Sequence, residues 1–208
     1  MRELLSEYSK KKHIIKNRLK EFKKVSKNED IFGELCFCIL TPQSKAVHCD
    51  KAIRRLKETG LLLKGTESNI KPLLKGLARF HNKKASYLVA ARNLFKNKNT
   101  LNIKSRLNSD DVFKTREWLV DNVKGLGYKE ASHFLRNIGL GRDVAILDVH
   151  ILKNLQKLGV VETIPSSITR KNYIEIEDKM RSFAKKSHIP LEELDLLFWS
   201  GETGFVFK

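Results

Sequence analysis

Lys129 stands where a lysine could act as a nucleophile. It follows the turn Val123–Tyr128 and falls on the first turn of a predicted helix. The helix dipole disfavours a charged ammonium at that end, and a neutral amine is what nucleophilic attack requires. The alternative is a lysine that contacts phosphate groups held at the same helix N-terminus, and position alone leaves both roles open.

A carboxylate that could assist such an amine comes 19 residues later, at Asp148. Asp148 directly precedes the apolar stripe that begins at Val149, which is where a helix N-cap belongs. The alternative to a catalytic role is therefore a helix cap. The two roles are compatible, because a helix N-terminus holds a carboxylate ionised and fixed. Asp143 is a weaker candidate because it lies in the loop five residues earlier.

Two glycines one residue apart, Gly125 and Gly127, precede the lysine. Glycine allows positive φ angles and close backbone approach, and the turn leads into a helix whose first N–H groups attract anions. Gly125, Gly127 and the adjacent Lys124 could therefore bind a phosphate group. An ordinary glycine turn between two helices is the alternative, and the G-x-G pattern alone favours it.

The charge balance indicates a polyanionic partner. Lys and Arg total 41 against 24 Asp and Glu, which gives a formal net charge of +17 over 208 residues. The Lys and Glu enrichment of thermostable proteins adds charges of both signs, whereas the excess here is one-sided. Nucleic acid is therefore the first candidate partner, and an anionic membrane surface is the second.

Cysteines and apolar stretches indicate the compartment. The three cysteines cannot all pair and match no structural metal spacing, which fits a reduced, cytoplasmic setting. The longest apolar stretch, at about Leu35–Leu40, is too short to span a bilayer, and the first residues lack the hydrophobic region of a signal peptide. His133 and His150 also match no ligand pattern, so we expect them, with Cys38, in the core and predict no metal site.

Helical periodicity dominates the sequence from end to end. No segment alternates convincingly as a strand, and the apolar run Phe205–Phe207 is too short and too close to the terminus to build a sheet. The sequence therefore predicts an all-α fold. The predicted helices cover about 3–24, 31–40, 46–60, 82–96, 111–119, 131–138, 149–158, 169–186 and 190–199.

The segment Lys124–Ala131, with the step to Asp148, resembles the helix-hairpin-helix DNA glycosylase superfamily in its lysine-bearing branch. The run Glu130–Asn137 and the C-terminal lysine resemble more narrowly the archaeal-type 8-oxoguanine DNA glycosylases. The resemblance extends from about residue 35 to the C-terminus. One departure is the loop Gly139–Arg142, which lacks the proline typical of the superfamily; that proline shapes the loop and does not react.

This resemblance implies an N-glycosylase/AP lyase that excises 8-oxoguanine in base excision repair. The damaged nucleotide would be flipped out of the duplex, and the Lys129 amine would attack C1′ and form a Schiff base. Asp148 would stabilise the cationic sugar transition state and could help to generate the neutral amine. β-Elimination would then nick the strand 3′ to the lesion. No cofactor is implied, and the C-terminal region lacks cysteines for the iron–sulfur cluster of endonuclease III-type relatives.

The resemblance also implies a base pocket and a strand wedge. Gln43, in the turn Leu40–Ser44, would fill the hole left by the flipped base, and a polar turn between helices is the alternative. Phe80 and Trp199 would stack on the base, although aromatic residues at helical spacing usually belong to the core. Lys208 would present its α-carboxylate to the N1–H and N2–H donors of guanine; the alternative is a tail that only seals the core.

The resembling family has two helical lobes. Residues 31–142 would form the central lobe, with the helix-hairpin-helix at about 111–139, and residues 1–30 with 143–208 would form the second lobe. The lysine and the aspartate would face each other across the cleft between lobes. We expect the chain to act as a monomer on double-stranded DNA that contains 8-oxoguanine and on abasic-site DNA, with no membrane partner.

Three other functions are considered. An oxidised-pyrimidine glycosylase-lyase could use the same lysine and aspartate, because both act on the sugar and not on the base. A non-catalytic helix-hairpin-helix module would bind DNA without using either residue chemically. A basic RNA-binding protein is the third alternative, and the lack of an aromatic β-sheet platform argues against it.

Overall fold

The computed structural model describes residues 1–98 and 100–208, and it confirms the predicted all-α fold. Among the described helices, none is both long and apolar enough to cross a membrane. A short antiparallel pair of two-residue strands, β1 (Lys96–Asn97) and β2 (Thr100–Leu101), interrupts the helices. The helices are α1 (Arg2–Lys23), α2 (Asn28–Leu40), α3 (Ala46–Glu58), α4 (Leu61–Lys64), α5 (Glu67–Leu74), α6 (His81–Phe95), α7 (Val112–Asn122), α8 (Tyr128–Asn137), α9 (Val149–Lys157), α10 (Arg170–Ser187) and α11 (Leu191–Thr203).

Two of these helices, α4 and α5, were not predicted from the sequence. Helix α4 is a single turn, which is too short to show periodicity, and α5 contains Pro72, which normally marks a helix end. A capping box nevertheless starts α5. The Thr66 hydroxyl accepts a hydrogen bond from the Asn69 N–H, and the Asn69 side chain accepts one from the Thr66 N–H.

The chain forms two compact units. The first comprises Met1–Lys24 and Leu135–Lys208; in it α1 packs against α11, and α11 also packs against α9 and α10. The second comprises Val25–Phe134, where α2 packs against α3 and α6, and α5 packs against α6. The boundary between the units falls within α8, at Leu135, whereas the predicted lobes meet at Arg142.

In the first unit, one face of α10 holds the extended segment that leads into α9. The Tyr173 hydroxyl donates a hydrogen bond to the Ala145 carbonyl at 2.6 Å and accepts one from the Leu147 N–H at 3.3 Å. One turn later, the Glu177 carboxylate accepts the Ala145 N–H at 2.7 Å. These side chains therefore satisfy backbone hydrogen-bonding groups of the segment, as a neighbouring strand would in a sheet.

The apolar side chains of this segment are buried, and α10 also holds the backbone of the residue just before it. Residues Val144–Leu147 are each at most 3% exposed, so their backbone polar groups need partners inside the protein. The Arg181 guanidinium, on the same face of α10, donates to the Asp143 carbonyl at 2.9 Å. The position of the residue after the segment, Asp148, is consequently set by α10.

Replacing Tyr173 by phenylalanine tests this support. Tyr173→Phe removes the hydroxyl that the buried Ala145 carbonyl and Leu147 N–H use as a hydrogen-bond partner. We therefore expect the free energy of unfolding to fall by about 1–3 kcal/mol. Urea unfolding followed by circular dichroism measures the change. The matched control is Tyr87→Phe, because the half-buried Tyr87 hydroxyl makes no hydrogen bond to other described residues; equal losses in both variants would contradict the prediction.

Candidate active site

The turn between α7 and α8 has the glycine geometry that the sequence predicted. Gly125 has a φ of +88°, and a Cβ at this position would lie 2.5 Å from Cδ2 of the Tyr87 ring. Only glycine fits both the angle and the space. Lys124 and Gly125 are exposed, and Gly127, directly before the first residue of α8, is half-buried.

The Gly127 amide already has an acceptor in the protein. Its N–H donates to Oε2 of Glu130 at 3.3 Å, so the carboxylate at the third helical position reaches back to the helix N-terminus. This is one half of a capping box. A phosphate group that binds the turn would therefore meet Lys124 and Gly125 directly, whereas at Gly127 it would compete with Glu130.

Lys129 is the second residue of α8 and is half-buried. Its Nζ lies 3.0 Å from Oε1 of Glu130, and the two side chains are 26% and 13% exposed. Consecutive residues on a helix do not face each other, so the contact requires the lysine side chain to bend towards the carboxylate. The sequence pointed to Lys129 but missed Glu130, although a glutamate three residues after a helix N-cap is a recognisable capping signal.

A second lysine, Lys84 on α6, lies in the electrostatic environment of this pair. Lys84 is buried, and burial lowers its pKa below the ordinary value. Lys129 acts in the same direction on the pKa of Lys84, whereas Cys49 and Glu130 oppose it. Burial raises the pKa of the Cys49 thiol to about 11, so the thiol stays protonated at neutral pH and is not a competing nucleophile.

Lys84 also fixes the turn that carries Gln43. Its ammonium donates to the carbonyls of Leu40 and Pro42, both at 2.7 Å, and to the hydroxyl of Ser44 at 3.0 Å. All three donors of the ammonium are used. Gln43 itself is exposed and has a positive φ of 54°, which is uncommon for a residue with a side chain.

Phe80 lies at the start of α6 and is 54% exposed, which excludes the core-packing alternative. Its φ of 57° is again positive, and such strain in a bulky residue persists only where the surroundings enforce it. The neighbouring Arg79 guanidinium lies 5.1 Å from the Phe80 ring centre, and the Arg79 N–H donates to the Ser44 hydroxyl at 2.9 Å. That bond joins the Phe80 turn to the Gln43 turn.

In the first unit, Asp148 is the N-cap of α9, as predicted. Its Oδ1 accepts the N–H groups of His150 and Ile151, both at 2.9 Å. Oδ2 accepts no hydrogen bond within the described part of the chain. The side chain is half-buried, so Asp148 combines the cap with an oxygen that can interact with a developing positive charge. Asp143, by contrast, is exposed.

A buried ion pair lies in the same unit, and sequence reasoning missed it. Nη2 of Arg136 is 3.4 Å from Oδ2 of Asp195, and both side chains are almost inaccessible. Burial raises the pKa of Asp195 to about 6; Arg136 opposes this shift, and Asp148 adds to it. The two carboxylates Asp148 and Asp195 therefore lie within electrostatic range of each other.

Trp199, on α11, is half-buried and contacts the helix that Asp148 caps. Its ring lies 5.4 Å from the ring of His150, and Nδ1 of His150 lies 3.5 Å from Oε2 of Glu202. The prediction of a core position is therefore wrong for His150, because α9 starts at the surface and its first residues remain accessible. It is confirmed for the other two residues: His133 is 5% exposed and Cys38 is fully buried.

The C-terminal tail, after α11, is partly accessible. Phe205 is 49% exposed, its ring lies 5.9 Å from that of Phe207, and Val206, Phe207 and Lys208 are half-buried. The structure thus divides the predicted site residues into two sets. The second unit contains Gln43, Phe80, Lys124, Gly125, Gly127 and Lys129, and the first contains Asp148, Trp199 and Lys208.

Comparison with known proteins shows which family this chain resembles. Residues 15–189 match the model of a family described as 8-oxoguanine DNA glycosylase. A protein of Fusobacterium nucleatum named 8-oxoguanine DNA glycosylase/AP lyase is 47% identical over 197 residues, which cover 93% of this chain and 90% of that protein.

Two solved structures have the same fold over the whole chain. The 8-oxoguanine DNA glycosylase of Thermotoga maritima superposes with a TM-score of 0.88 at 32% identity, covering 100% of this chain and 97% of the other. The 8-oxoguanine glycosylase/lyase of Methanocaldococcus jannaschii, in complex with a 15mer DNA containing 8-oxoguanine, superposes with a TM-score of 0.86 at 38% identity and covers 100% of both chains. The chain therefore belongs to the 8-oxoguanine DNA glycosylase family.

Proposed function

We propose that this protein is an N-glycosylase/AP lyase that removes 8-oxoguanine from double-stranded DNA and then cleaves the strand. The observation that carries the proposal is the half-buried Lys129 at the N-terminus of α8, directly after the glycine turn, in a chain of this family. A lysine amine is the nucleophile that a combined glycosylase and lyase needs, because it forms a Schiff base with the sugar.

The reaction begins with a nucleotide flipped out of the duplex, because its glycosidic bond is inaccessible within the stack. The Lys129 amine attacks C1′, the bond from C1′ to the base breaks, and the base leaves with the electron pair. Asp148 stabilises the positive charge that develops on the sugar, through the carboxylate that caps α9. The amine gives up its protons, the C1′–O4′ bond opens and O4′ takes a proton, which leaves a Schiff base between Lys129 and C1′. The Schiff base loses a proton from C2′, and β-elimination then breaks the C3′–O bond on the 3′ side, with the phosphate as the leaving group.

DNA phosphates are bound at the turn between α7 and α8. Lys124 and Gly125 are exposed there, and Gly127 supplies an amide at the N-terminus of α8 once its contact with Glu130 is exchanged. The formal net charge of +17 supplies the attraction to DNA that does not depend on sequence. The protein acts as a monomer, because the nucleophile and the carboxylate belong to the same molecule. It acts in the cytoplasm, on nucleoid DNA and on abasic DNA, and not at a membrane.

Four residues serve recognition in this proposal. Gln43 enters the gap left by the flipped base, supported by its exposed position and by the Lys84 contacts that fix its turn. Phe80 and Trp199 stack on the base, and the exposure of Phe80 supports a role other than core packing. The carboxylate of Lys208 accepts hydrogen bonds from the pairing edge of guanine.

Covalent trapping tests the nucleophile. Borohydride should reduce the Schiff base and attach the wild-type protein to DNA that contains 8-oxoguanine, and Lys129→Gln should abolish the adduct while duplex binding persists. Gel electrophoresis measures the adduct. The matched control is Lys124→Gln, which removes the same charge five residues earlier, in the turn before α8; it should weaken duplex binding and still trap. An adduct of undiminished yield from Lys129→Gln would exclude Lys129 as the nucleophile.

Asp148→Asn tests the carboxylate. Asparagine also caps helices well, so the fold should persist, whereas single-turnover release of the base should slow by about 10²-fold or more because a fixed negative charge is lost. The control is Asp143→Asn, an exposed residue five positions earlier, which should keep the wild-type rate. A rate for Asp148→Asn within a few-fold of wild type would reduce Asp148 to a helix cap.

The C-terminus is tested by separating its side chain from its carboxylate. Deleting Lys208 moves the α-carboxylate by one residue, so excision of 8-oxoguanine should fall far more than cleavage at a preformed abasic site. Lys208→Ala keeps the carboxylate in place and should retain most of the excision. Quantified product gels on the two substrates measure both activities. Equal loss of both in the deletion variant would mean that the tail supports the fold only.

A further inference from the structure

We propose that Lys84 is a positioning residue for the flipping step: its buried ammonium holds the turn Thr41–Ser44 in the conformation from which Gln43 enters the duplex. The inference rests on the proposed function, in which Gln43 fills the gap left by the flipped nucleotide. Lys84 is only 4% exposed, and its ammonium is bound by groups of the protein. It therefore acts through the backbone of the turn and not on the DNA.

The first support is the backbone of the turn, which has a conformation that glutamine seldom adopts. The Ser44 N–H donates to the Thr41 carbonyl at 2.9 Å and closes a four-residue turn, with Pro42 second and Gln43 third. Gln43 has a φ of 54°, and a positive φ at the third position of such a proline turn favours glycine. An exposed side chain is thus kept where the backbone is strained, and such strain persists only if the surroundings enforce it.

The second support is the set of contacts by which Lys84 enforces this conformation. Its ammonium donates to the carbonyls of Leu40 and Pro42, both at 2.7 Å, and to the Ser44 hydroxyl at 3.0 Å. One group therefore binds the residue before the turn and two residues within it. Leu40 ends α2, whose last turn contains no basic residue. A helix C-terminus favours a cation, and Lys84 supplies it from 44 positions further along the chain.

The Ser44 hydroxyl connects these contacts to the start of α6. It accepts hydrogen bonds from Lys84 and from the Arg79 N–H, at 3.0 and 2.9 Å, and donates one to the Pro42 carbonyl at 3.3 Å. Its one donor and two acceptor sites are thereby used. The turn is anchored both by the side chain of Lys84 and by the backbone of Arg79, so DNA binding does not have to order it.

Arg92 offers a matched comparison on the same helix, α6. Its guanidinium donates to the carbonyls of Leu62 at 3.2 Å and Gly65 at 2.7 Å, and no residue of the proposed site lies there. Arg92 thus holds another turn of the same unit in the same way, without positioning a group that enters DNA. Replacing Arg92 therefore reports the structural value of such contacts, separately from positioning.

The test compares Lys84→Met with the wild type on two substrates, in single turnover at saturating protein. Methionine fills most of the space of the lysine stem but donates no hydrogen bond, so the turn loses its anchor. We expect release of 8-oxoguanine from a duplex to slow by about 10-fold to 10²-fold, the scale of loss for a misplaced group. Borohydride trapping at a preformed abasic site should stay within about threefold of wild type, because no base has to leave the stack there.

A fluorescence measurement reports the flipping step directly. The base analogue 2-aminopurine, placed next to 8-oxoguanine, brightens when its neighbour leaves the stack, and Lys129→Gln protein separates this event from the later chemistry. Adding Lys84→Met to Lys129→Gln should reduce the rise in fluorescence at saturating protein. Arg92→Met, added in the same way, should leave the rise unchanged, although thermal unfolding should show that both substitutions destabilise the fold.

A double-mutant cycle identifies the residue through which Lys84 acts. Gln43→Ala alone should slow the release of 8-oxoguanine. In the Gln43→Ala background, Lys84→Met should add less than about a threefold loss, because the turn then has no side chain to position.

The outcomes separate this inference from the proposed function. A wild-type protein that neither releases 8-oxoguanine nor traps overturns both together. If the wild type is active, the role of Lys84 is overturned by a Lys84→Met release rate within about threefold of wild type, by equal loss of release and trapping, or by the same selective loss in Arg92→Met. A wild-type rate for Gln43→Ala, or full additivity in the cycle, also overturns it. If Lys84→Met does not fold, the same criteria apply to Lys84→Gln, which keeps donors on a shorter side chain.

Discussion

The unpaired N–H groups at the first turn of a helix are the constraint on which this site depends. Every α-helix begins with such groups, and they attract negative charge. At α8 the Gly127 amide is paired with Glu130, and at α9 the first amides are paired with Asp148. Each carboxylate is thus held by the helix end that it stabilises, and at Asp148 one contact serves both the fold and the proposed chemistry.

A second pattern concerns the segments without regular structure that carry the other site residues. Helical side chains supply the hydrogen bonds that such segments lack. Tyr173 and Glu177 satisfy the backbone before Asp148, and Lys84 donates to the carbonyls of Leu40 and Pro42, which precede Gln43. The strained backbone at Gln43 is held by the buried Lys84. Deleting a buried polar group such as Lys84 or Tyr173 leaves backbone atoms without that partner.

Charged groups at the surface and charged groups in the interior have different roles. The net charge of +17 describes a surface that attracts DNA as a whole. Among the buried ionic groups, Lys84 lies near the proposed nucleophile, and Arg136 with Asp195 lies near the proposed carboxylate. Because burial weakens the screening by water, these groups influence their neighbours more strongly than any surface lysine can.

Local features were determined by the sequence alone. Helical periodicity predicted nine helices, and the cap at Asp148 and the turn at Gly125 followed from residue type. Each depends on neighbours a few positions away, so no packing is needed to predict it. The tertiary structure decided contacts between distant residues. Lys84 reaches carbonyls 42 and 44 positions earlier, and the exposure of Phe80 depends on what packs around it. Even the pairing of Lys129 with Glu130 required the fold, because adjacent helical residues diverge unless burial bends one towards the other.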